Sequence, residues 1–147
     1  MMKLPWRLGK GGVGRQESGA RRQEGAAYES VTVVESRVMP GVRFTVARMS
    51  FGRRVELMRQ IRELARRAEF LAAGSSPEDK MDAALVQAEI ERVYVSWGVR
   101  AISGLVVDGC DAGPERLSDA GPEELFREAL AAVRAETGLD EEQRKNS

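Results

Sequence analysis

The stretch MSFGRRVELMRQIRELARRAEFL, Met49 to Leu71, organises the chain around it. Leu57, Ile61, Leu64, Ala68 and Leu71 recur at alternating spacings of four and three, the period of a helix that buries one face. Ser50 stands where an N-cap belongs, with a side-chain oxygen able to accept a backbone N–H of the first turn. The residue three positions on is Arg53 and not the Glu or Gln of a capping box. Gly74 and the Ser75-Ser76-Pro77 run after it end the helix. Arg53, Arg54, Arg59, Arg62, Arg66 and Arg67 take much of the remaining surface, tempered by Glu56, Glu63 and Glu69. Nothing on this helix reads as catalytic. If its stripe faces a core, Leu64→Asp should unfold the domain by burying a charge.

Before the helix, SVTVVES (Ser30 to Ser36) and RVMPGVRFTVARM (Arg37 to Met49) change to β-branched alternation, with Pro40-Gly41 as turn chemistry. Two short strands joined there are expected. Val42, Phe44 and Val46 share one face and Arg43, Thr45 and Ala47 the other, so the hairpin would lay its apolar face on the helix that follows. A lone hairpin is marginal in water, so packing on a helix or on a partner's strand is required.

After the helix, Ser76 is placed to cap a second one, with Pro77 at its first position and Glu78 and Asp79 near the positive end of its dipole. Met81, Leu85 and Ala88 start an apolar stripe that Val86, Ile90, Val93 and Trp97 carry on. A short turn between two such helices makes an antiparallel αα-hairpin, with Tyr94 and Trp97 at one end of the shared core. Gly98 ends the second helix, and VRAISGLVVDGCDA, Val99 to Ala112, predicts a small β-hairpin or strand and turn at Asp108-Gly109. The unit Gly-Pro-Glu occurs at Gly113 and again at Gly121. The first predicts a turn or two; the second opens a helix carrying Leu125, Phe126, Ala129, Leu130 and Val133. The expected fold is α+β and predominantly helical: an N-terminal β-hairpin, an antiparallel helix pair, a small strand and turn, and a C-terminal helix. It occupies residues 28–138 as one domain, after a flexible basic arm over 1–27 and before a solvated tail over 139–147.

Composition narrows the function. The chain has 147 residues, 42% of them hydrophobic, enough for one sizeable core. Its 23 basic and 23 acidic residues cancel, so there is no global basic field for nucleic acid. With no histidine, the commonest general base and the commonest metal ligand are both missing. Cys110 is the single cysteine and forms no internal disulfide, which fits a reducing compartment. No run approaches the roughly eighteen apolar residues of a membrane span, and MMKLPWRLGKGG lacks the apolar centre of a signal peptide. A cytoplasmic location is expected.

The remaining motifs each carry a plain structural reading beside the functional one. KGGVGRQ, Lys10 to Gln16, is similar to the KGGVGK[ST] phosphate loop of partition-type ATPases, but Arg15 stands at the lysine position and Gln16 at the magnesium-binding hydroxyl position. A glycine-rich tail is the simpler reading. The arginines of the first helix are a phosphate-backbone surface or a solvated face paired with Glu63. Cys110 has no histidine to lower its pKa and reads as a loop thiol. Glu123-Glu124 and Asp140-Glu141-Glu142 read as helix-dipole and tail acids before they read as a cation site. Trp97 before Gly98 is an interface anchor or core. No catalytic, cofactor-binding or metal-binding residue is assigned; the candidate partner contacts are Arg54, Arg59, Arg62, Arg66 and Trp97.

From Ser30 onward the layout resembles the small tail assembly chaperones of long-tailed phages and prophages. The residues that carry the likeness are the strand pair SVTVVES and GVRFTVARMS, the helix GRRVELMRQIRELARRAEFL, then YVSWGVRAISGLVVDG, GPEELFREALAAV and the ending GLDEEQRKNS. The likeness spans about four fifths of the chain by short, degenerate motifs; the basic arm departs from the pattern. It implies a non-enzymatic role in the host cytoplasm. Such chaperones coat the long tape measure protein, help recruit tail tube subunits and are absent from the finished virion; a ribosomal frameshift in many phages yields a longer form. No site residue carries over by motif, and self-association is left open. The competing expectation is a small nucleic-acid-binding regulator that uses the arm and the Arg-rich helix.

Overall fold

The computed structural model describes residues 25–138. The Lys10 to Gln16 run, most of the expected basic arm and the tail from 139, with Asp140-Glu141-Glu142, lie outside the described residues.

Strands β1 (Val31–Glu35) and β2 (Arg43–Ala47) pair antiparallel, with Val31 opposite Ala47 and Glu35 opposite Arg43. Helices α1 (Phe51–Ala72) and α2 (Pro77–Gly98) follow as the expected hairpin. Both are capped as the sequence predicts: the Ser50 hydroxyl accepts the N–H of Arg53 at 3.2 Å and the Ser76 hydroxyl that of Asp79 at 3.0 Å. Strands β3 (Val99–Ser103), β4 (Val106–Val107) and β5 (Cys110–Asp111) lead to the short α3 (Pro114–Ala120) and to α4 (Glu123–Thr137). The protein is α+β and mostly helical, with a small antiparallel sheet.

The segment after α2 differs from the expected self-contained hairpin. β3 leaves α2 without a loop and pairs with the free edge of β2, so the sheet order is β1-β2-β3. β2 has two edges and β1 covers one; Ile102 of β3 lies opposite Phe44, which places an apolar pair on the covered face. The turn signal remains as a two-residue hairpin, β4 with β5, in which Asp108 and Gly109 take φ of 51° and 82°, the left-handed pair that a tight primed turn needs.

The core gathers at the base of the helix hairpin. Phe44 and Val46 of β2, Leu57 of α1, Val95 and Trp97 of α2, and Leu125 and Val133 of α4 belong to one buried cluster, with Leu117 of α3. At Gly98 a Cβ atom would stand 2.6 Å from a Val133 methyl, so the lack of a side chain lets α4 lie close against the end of α2. Away from the base, burial differs from the expected stripes. On α1 only Leu57 is fully buried, while Ile61, Leu64, Ala68 and Leu71 are half-buried. On α2, Val86, Ile90 and Trp97 are buried but Met81, Leu85 and Ala88 are exposed. Near the turn each helix has only the other to cover it, so one face of each stays in water. Among the described residues no helix is long and apolar enough to cross a membrane.

Candidate functional site

Two apolar clefts join along α2. One, of about 570 Å³, lies near the turn of the hairpin on a floor of Phe70, Leu71, Leu85 and Val86. Its α1 rim is basic, with Arg66 and Arg67, and its α2 rim is acidic, with Asp82 and Glu89. The other, of about 520 Å³, lies at the base between α2 and the α3–α4 pair, where Leu85 and Ala88 face Leu117 and Phe126. Leu85 and Glu89 line both, so the two make one trough.

The trough exists because α2 carries two apolar faces. Val86, Ile90, Val93 and Trp97 point at α1 and the core, while Met81, Leu85 and Ala88 sit roughly 100° to 160° round the helix from Val86, at about 100° per residue. Phe70 likewise stands off the α1 stripe. These side chains remain in water, Phe70 at 79%, Met81 at 68% and Leu85 at 60% exposed. They form a cluster of exposed apolar side chains between charged rims.

Electrostatics treat the two ends differently. At the base, ion pairs cross from helix to helix: Arg92 to Asp119, Arg127 to Glu91 at 2.9 Å and Arg134 to Glu91 at 3.9 Å. The hydrogen bond from Arg92 to Asp119, then the charge of that carboxylate, raises the guanidinium pKa above its ordinary value, and Glu91 does the same for Arg127. Both arginines stay charged at any physiological pH. Exposed pairs of this kind add little stability, but they fix the walls of the base cleft. Near the turn, Arg66 pairs only with Glu63 of its own helix, at 3.5 Å, and no ion pair between described residues bridges the cleft.

The contacts expected from sequence divide. Arg54, Arg59, Arg62 and Arg66 are all exposed, as a contact surface requires, but only Arg66 lines either cleft. Trp97 is 5% exposed, and its indole N–H donates to Glu56 Oε1 at 3.2 Å. It is a core residue and offers no surface to a partner, because the base of the hairpin is where α1, the sheet and α4 converge on α2. Cys110 is exposed on β5. Glu123 and Glu124 occupy the first turn of α4, where Glu123 meets Arg127 at 3.5 Å. Among the described residues no group of three or more His, Cys, Asp or Glu side chains is placed to hold a metal ion. Phe70, Met81 and Leu85 were not singled out from sequence as contacts; the signal was their offset from the buried stripes.

Among the described residues the trough has apolar side chains on its floor and charges of both signs at its rims. No family model, curated protein or solved structure matches this chain.

Proposed function

We propose that this chain is a non-enzymatic tail assembly chaperone of a long-tailed phage or prophage, acting in the bacterial cytoplasm. It holds helical segments of the tape measure protein in solution and assists assembly of tail tube subunits around them. The observation that carries the reading is the base cleft, walled by α2, α3 and α4 and pinned by the Arg92–Asp119 and Arg127–Glu91 pairs. From Leu85 to Arg92 it follows α2 for roughly 10 Å, close to two turns of a bound helix. A client rich in amphipathic helices presents anchors at i, i+3 and i+4 that suit such a seat. The order of elements and the motifs from Ser30 onward support the same family reading.

The test is coexpression with the protein of the very long helical reading frame expected next to this one. The client should be insoluble alone and soluble with the chain. Ala88→Arg, which places a long cation in the base cleft from an exposed helical position, should abolish that rescue without lowering the melting temperature. A client equally soluble with and without the chain would end the proposal. Salt-sensitive retention of DNA by the chain would transfer the reading to the nucleic-acid regulator.

A further inference from the structure

We infer that the cleft near the hairpin turn docks a second copy of this chain, so that two α1–α2 hairpins close into a two-fold four-helix bundle. The charge pattern selects this occupant. Arg66 and Arg67 stand on the α1 rim and Asp82 and Glu89 on the α2 rim of the same cleft; counted back from the turn, Asp82 stands level with the arginines and Glu89 two helical turns, roughly 10 Å, nearer the base. A two-fold axis parallel to the helices lays α1 of one copy over α2 of the other. Arg66 and Arg67 of each copy then meet Asp82 of the mate, with Glu89 toward the base, and the contact occurs twice, as an isologous one requires. An axis across the helices would stack α1 on α1 and set arginines against arginines, so the pattern chooses one geometry.

Size and chemistry agree. Two 22-residue helices side by side leave this face free of α3 and α4 over their outer half, roughly 16 Å by 20 Å, a small contact of the kind that associates weakly and with concentration. Phe70, 79% exposed on the α1 side, and Leu85, 60% exposed on the α2 side, line this cleft and supply its apolar centre, with Phe70 as the aromatic anchor that interfaces use. Mates packed this way also follow the antiparallel neighbour pattern of helix bundles. The inference does not rest on the chaperone reading; the two clefts share Leu85 and Glu89, but Arg66 and Arg67 line only the one near the turn and Ala88 only the base cleft, so variants at those positions tell the two apart.

Sedimentation equilibrium of the full chain tests it, with reversed-charge variants chosen for their exposure. The parent should form a concentration-dependent dimer. R66E/R67E and D82K/E89K should each dimerise about tenfold or more weakly, because like charges then meet at both contacts. An equimolar mixture of the two variants should dimerise again, since each reversed rim now meets its complement. Phe70→Ser should weaken the dimer while leaving the melting temperature of the dilute, dissociated chain unchanged, and Ala88→Arg should leave the dimer intact. A parent that stays monomeric overturns the inference. So does self-association that survives both charge reversals, or variants that fail to rescue one another when mixed. Loss of client rescue by Ala88→Arg with an unchanged dimer, or the converse, separates the two proposals.

Discussion

The Glu128 carboxylate of α4 binds Ser36 across 92 residues of sequence: the Ser36 hydroxyl donates to Oε1 at 2.6 Å. The other oxygen, Oε2, accepts the backbone N–H of Arg37 at 2.6 Å, and the same Ser36 hydroxyl oxygen accepts the N–H of Met39 at 2.9 Å. The loop between β1 and β2 is thus held to α4 by one side chain. Ser36 is buried, so its hydroxyl has little access to water in exchange.

Glu128→Ala should therefore cost about 1.5–3 kcal/mol, the range for hydrogen bonds to a charged acceptor with a buried donor left unpaired. Glu123→Ala, which removes only an exposed ion pair at 3.5 Å, should cost well under about 1 kcal/mol. Urea unfolding of the two variants against the parent reads the difference. Equal midpoints would mean that the Ser36–Glu128 contact adds nothing to the native state.

Trp97 makes the opposite demand on a partner-contact reading. Its burial and its hydrogen bond to Glu56 predict that, in a Trp6→Phe background, the remaining tryptophan emits to the blue and resists quenching by acrylamide until the protein unfolds. Trp97→Ala should cost about 3–5 kcal/mol. Ready quenching in the native protein would move Trp97 back to the surface.

Local signals were legible in the sequence, and the partners of each face were not. Ser50 and Ser76 announced the helix starts because a capping hydroxyl acts within three residues, and Asp108-Gly109 announced its turn because few residues tolerate positive φ. The 57-61-64-68-71 spacing named the inner face of α1 correctly. Period alone, however, does not say how much covers a face. Val86 and Leu85 are neighbours of equal apolarity, yet one is buried and the other 60% exposed, because only the first points at α1. The pairing of β3 with β2 was equally hidden, since it depends on where α2 delivers the chain in space.

Gly104 tests that third strand. It follows β3 with φ of 82°, and a Cβ there would stand 2.2 Å from the carbonyl oxygen of Gly41. Backbone in the β1–β2 turn cannot step aside as a side chain would. Gly104→Ala should cost about 1–3 kcal/mol through strain and overpacking, read as a lower melting temperature. Gly52→Ala, with open space around it in the first turn of α1, should be neutral or stabilising. A Gly104→Ala melt equal to that of the parent would mean that β3 does not close on the β1–β2 turn.

Burial along α1 sets the last expectation. Leu57 is 4% exposed within the core, whereas Leu64 is half-buried two turns nearer the hairpin end and lies outside the fully buried cluster. Leu57→Ala should cost about 2–5 kcal/mol, and Leu64→Ala roughly 1 kcal/mol, in proportion to the smaller area it covers. By the same reasoning Leu64→Asp should loosen the outer turns of α1 and α2 and not the whole domain, contrary to the expectation from periodicity alone. Hydrogen exchange in dilute solution, where the chain is not paired with a second copy, separates the cases. Amides near Ala68 to Ala83 should lose protection in Leu64→Asp while those of β2 and α4 keep theirs. Parallel loss in the sheet would show that the hairpin and its base unfold as one unit.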